Sequence, residues 1–233
     1  MQTNLEKNIN LYYNKINYYG VLLDMIKLSC RLQTFADMVN EGACVVDVGT
    51  DHGYIPAYLA ENQIAKSVIA CDINEKPLMS CKRYISSLGL DDRVKCVLSD
   101  GLKNIDVEYD TVIIAGMGGE LIAQILENAD NIRHCRLIIN PMTHPELARK
   151  WLYNNGFCIE NDIVVADSNH HYSVLLAHYT GEVKEKSEVD YFLGEISDFS
   201  DRKYFEHLLV YLKNKEKSGV DYSKVISAIE GKI

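Results

Sequence analysis

Asp47, Gly49 and Gly53 fall in the run Val45-Val46-Asp47-Val48-Gly49-Thr50-Asp51-His52-Gly53-Tyr54, which has the composition of a ligand-holding turn. The β-branched residues up to Val48 read as a buried strand, and the two glycines supply the φ freedom or bare surface that a sharp strand-to-helix turn needs. Whatever binds there meets main chain before side chains. The turn differs from the dinucleotide fingerprint G-x-G-x-x-G, whose early glycines let main chain approach a pyrophosphate at a helix N-terminus. Asp47 takes the first of those positions, and a carboxylate there repels phosphate. It suits a carrier bearing an ammonium and a sulfonium, so Asp47-x-Gly49-x-x-x-Gly53 points to S-adenosylmethionine and away from NAD or ATP.

The elements that must position this turn read as strands ending in polar groups. Ser67–Asp72 is a second strand whose final acid comes 23 positions after Gly49. An acid about 20 residues past such a turn is placed to accept both ribose hydroxyls. A third strand, Val94–Leu98, leads into Ser99-Asp100-Gly101. There Asp100 either accepts from an exocyclic adenine amino group or caps the next turn. The fourth strand, Thr111–Ala115, is uninterruptedly apolar, as a central parallel strand covered on both faces should be. It runs into Gly116-Met117-Gly118-Gly119. So many glycines are costly in backbone entropy, and they would lie at the carboxyl edge of the sheet, where open α/β folds bind their ligands. The fifth strand, Arg136–Asn140, brings Asn140 and then His144 to the same edge.

Between the strands lie helical patterns. Leu28, Leu32, Phe35, Ala36 and Val39 share a face, with Gly42 as the expected stop, which puts Arg31 near the mouth of the site. Further helices are expected to about Ser87 with Pro77 in the first turn, over Glu120–Glu127, and over Glu146–Asn154. Phe157–Val165 and Tyr172–Tyr179 read as a terminal antiparallel pair joined by a loop over 167–171. Past Gly181 come a charged linker, Lys184–Glu188, and helical patterns over Tyr204–Lys217 and Ser223–Ile229, with Leu208, Leu209 and Leu212 as a packing stripe. The expected architecture is α/β and Rossmann-like with a mostly parallel sheet. Residues 1–26 form an Asn/Tyr-rich extension, 27–181 the donor-binding domain and 182–233 a small helical C-terminal extension.

The 233 residues suffice for such a domain with an appendage. A net charge of −9 argues against a general polyanion coat, though not against a local basic face. Lys27, Arg31, Lys82, Arg83, Arg149 and Lys150 are its candidates, each equally readable as a solvated helix charge. None of the seven cysteines falls in a C-x-x-C pair, which suits buried thiols in a reducing cytosol. His170 and His171 lack a third ligand at suitable spacing, so no metal is expected. No apolar run approaches the ~20 residues of a membrane span, and the start is too polar for a secretory signal. A cytoplasmic monomer without a membrane partner is expected.

Four segments now carry a family likeness: Leu28-Ser29-Cys30-Arg31-Leu32, Asp47 to Pro56, Ala115-Gly116-Met117-Gly118-Gly119, and Asn140-Pro141 with His144. Together they resemble the bacterial tRNA (adenine-22-N1)-methyltransferase family over about residues 27–180. The resemblance implies a class I methyltransferase sheet of seven strands, S-adenosylmethionine as donor with S-adenosylhomocysteine as product, and tRNA as partner, methylated at N1 of adenine 22 in the D-arm region. It assigns donor contacts to Arg31, Asp47, Gly49, Thr50, Asp51, His52, Gly53, Asp72, Ile73, Asp100, Gly101, Gly116, Met117 and Gly118. Two departures stand out: the C-terminal part is shorter than the long coiled-coil pair of the family, and the first 26 residues are additional.

Unpaired adenine N1 has a free lone pair at neutral pH, so alignment in a dry pocket matters more than a strong base. The target base must be turned out of its stack, and the methylated ring is cationic, which a nearby carboxylate stabilises. Asp51 is expected to serve that charge, Asn140 to hold the adenine edge, and His144 or His52 to assist. Two other readings stay open at this level: methylation of a small molecule, which an acidic surface suits, and a non-catalytic module that binds nucleotide or tRNA. Donor binding separates the module from both enzymes, and labelled methyl in tRNA separates the enzymes.

Overall fold

A computed structural model describes residues 26–233. In chain order the elements are α1 (Cys30–Asp37), β1 (Ala43–Val48), α2 (Tyr54–Glu61), β2 (Ala65–Asp72), α3 (Glu75–Ser87), β3 (Val94–Leu98), β4 (Thr111–Gly118), α4 (Gly119–Glu127), β5 (Arg136–Thr143), α5 (Pro145–Asn154), β6 (Phe157–Asp167), β7 (His170–Tyr179), α6 (Glu188–Leu193), α7 (Arg202–Glu216) and α8 (Ser223–Glu230). The strands form one sheet in the order β3-β2-β1-β4-β5-β7-β6. β1 to β5 are parallel, and β7 inserts between β5 and β6, antiparallel to both. The architecture is the Rossmann-like α/β class read from the sequence.

The central strands are largely apolar because neighbouring side chains serve opposite faces. Val46, Ile114 and Ile139 pack with Ile122, Leu126 and Leu152 of α4 and α5. Their neighbours Val45, Ile113 and Ile138 pack with Phe35, Leu59 and Ile85 of α1, α2 and α3. A third cluster, built on Phe192, Phe205, Leu212, Val225 and Ile229, holds the C-terminal helices together.

Several expectations shift. The first helix starts at Cys30 because Ser29 caps it, accepting from the Leu32 N–H, and it ends at Asp37. Gly42 therefore does not stop this helix but lies in the turn into β1, its N–H bonded to the Ile64 carbonyl at 2.7 Å. The loop over 167–171 shrinks to the turn Ser168-Asn169, since the ladder continues to the pair Asp167–His170. Within the charged linker, Ser187 and Asp190 make a capping box that starts α6. Arg149, a candidate for a basic face or a solvated charge, is neither: it is fully buried and ion-paired with Asp162. The reading of residues 1–25 lies outside the described residues.

Candidate active site

β1 is flanked by β2 on one side and β4 on the other, so chain direction across the sheet reverses there. Such a switch point opens a crevice outside the carboxyl ends of the two strands. Asp47 sits just inside it, 5 % exposed. Burial pushes its carboxyl up to about 6, with the Asp72 charge adding to the rise and the Thr50 hydroxyl opposing it. The chain then curls over β2, the N–H groups of Gly49 and Thr50 both donating to the Cys71 carbonyl at 2.8 and 3.0 Å. Gly49 has φ +78°, and a Cβ there would run into the side-chain methyl of Met117. Turn and β4 glycine segment thus touch, and the left-handed φ at residue 49 is what calls for glycine. Close by, the Thr50 hydroxyl is buried without a well-formed hydrogen bond.

Asp72 closes β2. One carboxylate oxygen accepts the Asn74 N–H at 2.7 Å, and Ile73 beside it is 62 % exposed. The Ser99 N–H donates to the Asp72 carbonyl, bringing Asp100 and Gly101 to the same rim. Asp100 is exposed and paired with Lys103. Asp51 and His52 stand outside the turn, exposed and 3.4 Å from each other, with His52 also 3.4 Å from the Ser80 hydroxyl.

The second group of candidates gathers at the end of β5. Asn140 is fully buried, with Oδ1 accepting from Arg31 at 2.9 Å and Nδ2 donating to the Ser173 carbonyl at 2.8 Å. The Arg31 guanidinium lies over the rings of Phe35 and Tyr172 and 3.6 Å from Asp167. Arg31 is thus brought to Asn140, and the partners Asp167, Tyr172 and Ser173 were hidden in what read as loop and strand. His144 lies at the turn into α5, its ring contacting Glu146 and Tyr211. No sequence signal pairs it with Tyr211, 67 residues away.

The rim residues fit a nucleoside carrier with a cationic amino-acid part. A buried carboxylate faces the crevice at Asp47, an exposed aliphatic surface offers a ring contact at Ile73, and Thr50 holds an unsatisfied hydroxyl. Two wider cavities, about 770 and 590 Å³, open at the opposite, amino edge, where Asp110 and His134 line both. Volume alone would point there, but the acids and glycines of the crevice do not reach it. Among the described residues no cluster of three His, Cys, Asp or Glu is placed to hold a metal ion, and no helix is long and apolar enough to cross a membrane.

Residues 28–175 match the family described as methyltransferase domain. The chain belongs to that family. The tRNA (adenine(22)-N(1))-methyltransferase of Bacillus subtilis is 38 % identical over 158 residues, a stretch taking in 66 % of this chain and 66 % of that one, just under two thirds. The crystal structure of the B. subtilis M1A22 tRNA methyltransferase TrmK superposes with a TM-score of 0.75 at 29 % identity, covering 88 % of this chain and 95 % of that chain. M. capricolum TrmK, solved with S-adenosyl-homocysteine, gives 0.72 at 27 % identity over 88 % and 93 %. Relatives described as bacterial tRNA (adenine-22-N1)-methyltransferases are thus what the chain is similar to in both sequence and fold.

The β4–α4 and β5–α5 turns bear directly on one another. A Cβ on Gly119 would run into the His144 carbonyl oxygen, with the carbonyl carbon at 2.9 Å. Backbone cannot rotate away as a side chain can. Gly119→Ala is therefore expected to cost about 1–3 kcal/mol of stability, read as a lowered urea midpoint.

Proposed function

We propose that this methyltransferase transfers a methyl group from S-adenosylmethionine to N1 of adenine 22 in tRNA, acting as a cytoplasmic monomer. The observation that carries the reading is the buried carboxylate of Asp47 beneath the β1–β4 glycine crevice, where a dinucleotide site would present bare main chain. When bound, the donor supplies an electrophilic methyl on a sulfonium, open to in-line displacement by a ring nitrogen.

The chain's own residues would hold and align. Asp47 faces the cationic amino-acid part and Asp72 offers its second oxygen to the ribose hydroxyls. Ile73 packs on the adenine ring, with Asp100 and Gly101 at its amino edge. Gly49, Thr50, Gly53 and the Gly116-Met117-Gly118 main chain form the wall. Asp51, with His52, stands at the rim to meet the positive charge that grows on the target ring. Arg31 and Asn140 act as one hydrogen-bonded unit beside the target, and His144 flanks it. Residues 27–181 form the donor-binding domain, and 182–233 a helical extension that engages tRNA.

Incubation of the full chain with donor and undermodified tRNA, followed by nucleoside mass analysis, should yield 1-methyladenosine that disappears when adenine 22 is replaced by guanine. Donor binding with no methylated nucleoside would overturn the assignment. Two variants separate the roles. Asp72→Ala should weaken donor binding by at least about tenfold in calorimetry without tRNA, the worth of a charge-assisted hydrogen bond. Asp51→Ala should lower turnover while leaving donor affinity within about twofold.

A further inference from the structure

His144 adopts a left-handed conformation, φ +52°, and its ring is held from two sides. Nδ1 lies 3.0 Å from a carboxylate oxygen of Glu146 and 3.3 Å from the phenol oxygen of Tyr211 on α7. The Tyr211 ring meets the imidazole edge-on, with centroids 5.9 Å apart. The Glu146 side chain is 14 % exposed, whereas the imidazole keeps 41 %. An ionised carboxylate can only accept, so in the neutral imidazole the network places the proton on Nδ1 and leaves Nε2 as an acceptor. The residue that carries this acceptor rests on Gly119 through its backbone carbonyl, at the end of the β4 glycine segment.

We propose that Nε2 of His144, oriented by Glu146 and by Tyr211 of the C-terminal helix α7, reads the 6-amino group of the target purine. The inference rests on adenine N1 being the methylated atom. Adenine presents a lone pair at N1 beside N–H donors at position 6, and guanine presents the reverse. An acceptor opposite position 6 therefore pairs with adenine and sets lone pair against lone pair with guanine. Methylation makes the ring cationic and its 6-amino group a stronger donor, so the bond tightens as the reaction proceeds and contributes more to kcat than to KM. Glu146 and Tyr211 are positioning residues. Through Tyr211 the C-terminal extension contributes to the site itself, in addition to any hold on tRNA.

The test compares tRNA carrying adenine at position 22 with tRNA carrying purine, which lacks the 6-amino group. Wild-type kcat/KM should fall about tenfold on that exchange, the worth of one hydrogen bond, together with whatever purine's lower basicity removes. Glu146→Gln can donate to Nδ1 and drive the proton to Nε2, which then no longer accepts. Glu146→Gln and His144→Ala should both shrink the adenine-to-purine ratio by about tenfold, with donor affinity unchanged. Comparing the ratio between enzyme forms cancels the basicity difference. Tyr211→Phe should shrink it less. A ratio that survives in both Glu146→Gln and His144→Ala overturns the inference while leaving the adenine reading intact. A wild-type chain that methylates no tRNA removes both.

Discussion

Arg149→Met should destabilise the chain by about 3–5 kcal/mol, the usual cost of breaking a buried pair by removing one partner. Arg149 is fully buried and donates to both Asp162 oxygens, from Nε at 2.7 Å and from Nη2 at 3.0 Å. Its remaining donors reach the Ser173 hydroxyl at 2.9 Å and the Phe192 carbonyl at 2.8 Å. Asp162 in turn accepts from Ser173 and from the Glu195 N–H. One guanidinium thus ties α5, β6 and β7 to the end of α6, whose last carbonyls would otherwise lack partners. Methionine fills the volume but leaves a buried carboxylate with no cation opposite it. Joining Arg149→Met to Asp162→Leu should recover much of the loss, since neither charge then remains. Urea unfolding of both variants decides it: an unfolding free energy for Arg149→Met within about 1 kcal/mol of wild type would mean that water reaches Asp162 and the seam is not dry.

That seam also marks the limit of sequence reading. The strands were legible because Val45-Val46, Ile113-Ile114 and Ile138-Ile139 must bury consecutive side chains on two faces. The rim was legible because Asp47, Gly49 and Asp72 follow directly from strand ends. Arg149 was not legible, because an arginine in an amphipathic helix ordinarily faces water and its partner lies in the polar stretch Glu160-Asn161-Asp162. A register irregularity between Ile159 and Asn161 interrupts the strand's alternation just before Asp162, which ends up buried. Alternation alone cannot anticipate such a shift. The Arg31–Asn140 and His144–Tyr211 contacts escaped for a related reason. Each polar residue could be placed at a strand end or on a helix, but its partner comes from an element whose docking is set by tertiary packing. α6 was hidden by charge, although Ser187 with Asp190 three residues on was a cap signature already present in the chain.

Asp47→Asn should move stability and donor affinity in opposite directions. The carboxyl lies at about 6 in the folded chain against an ordinary 3.8, chiefly through burial. A raised carboxyl favours the folded state fully below about 3.8 and loses that contribution as pH rises through about 6. Above that, the ionised group burdens the donor-free protein by on the order of 3 kcal/mol. Asparagine carries no such burden, so the variant should be the more stable protein at pH 8, with the difference vanishing near pH 4. A cationic donor reverses the balance, because it favours the ionised form and draws a proton off Asp47 as it binds. Near pH 5.5 wild-type binding should therefore release protons, visible as a dependence of the calorimetric enthalpy on buffer. In Asp47→Asn this release should disappear and affinity fall about 10- to 100-fold, the worth of a hydrogen bond to a charged group. Should the variant bind donor as tightly as wild type at pH 7.5, the buried carboxylate is not the cation's partner. Its raised pKa would then be a burden that the crevice carries for some reason other than the donor.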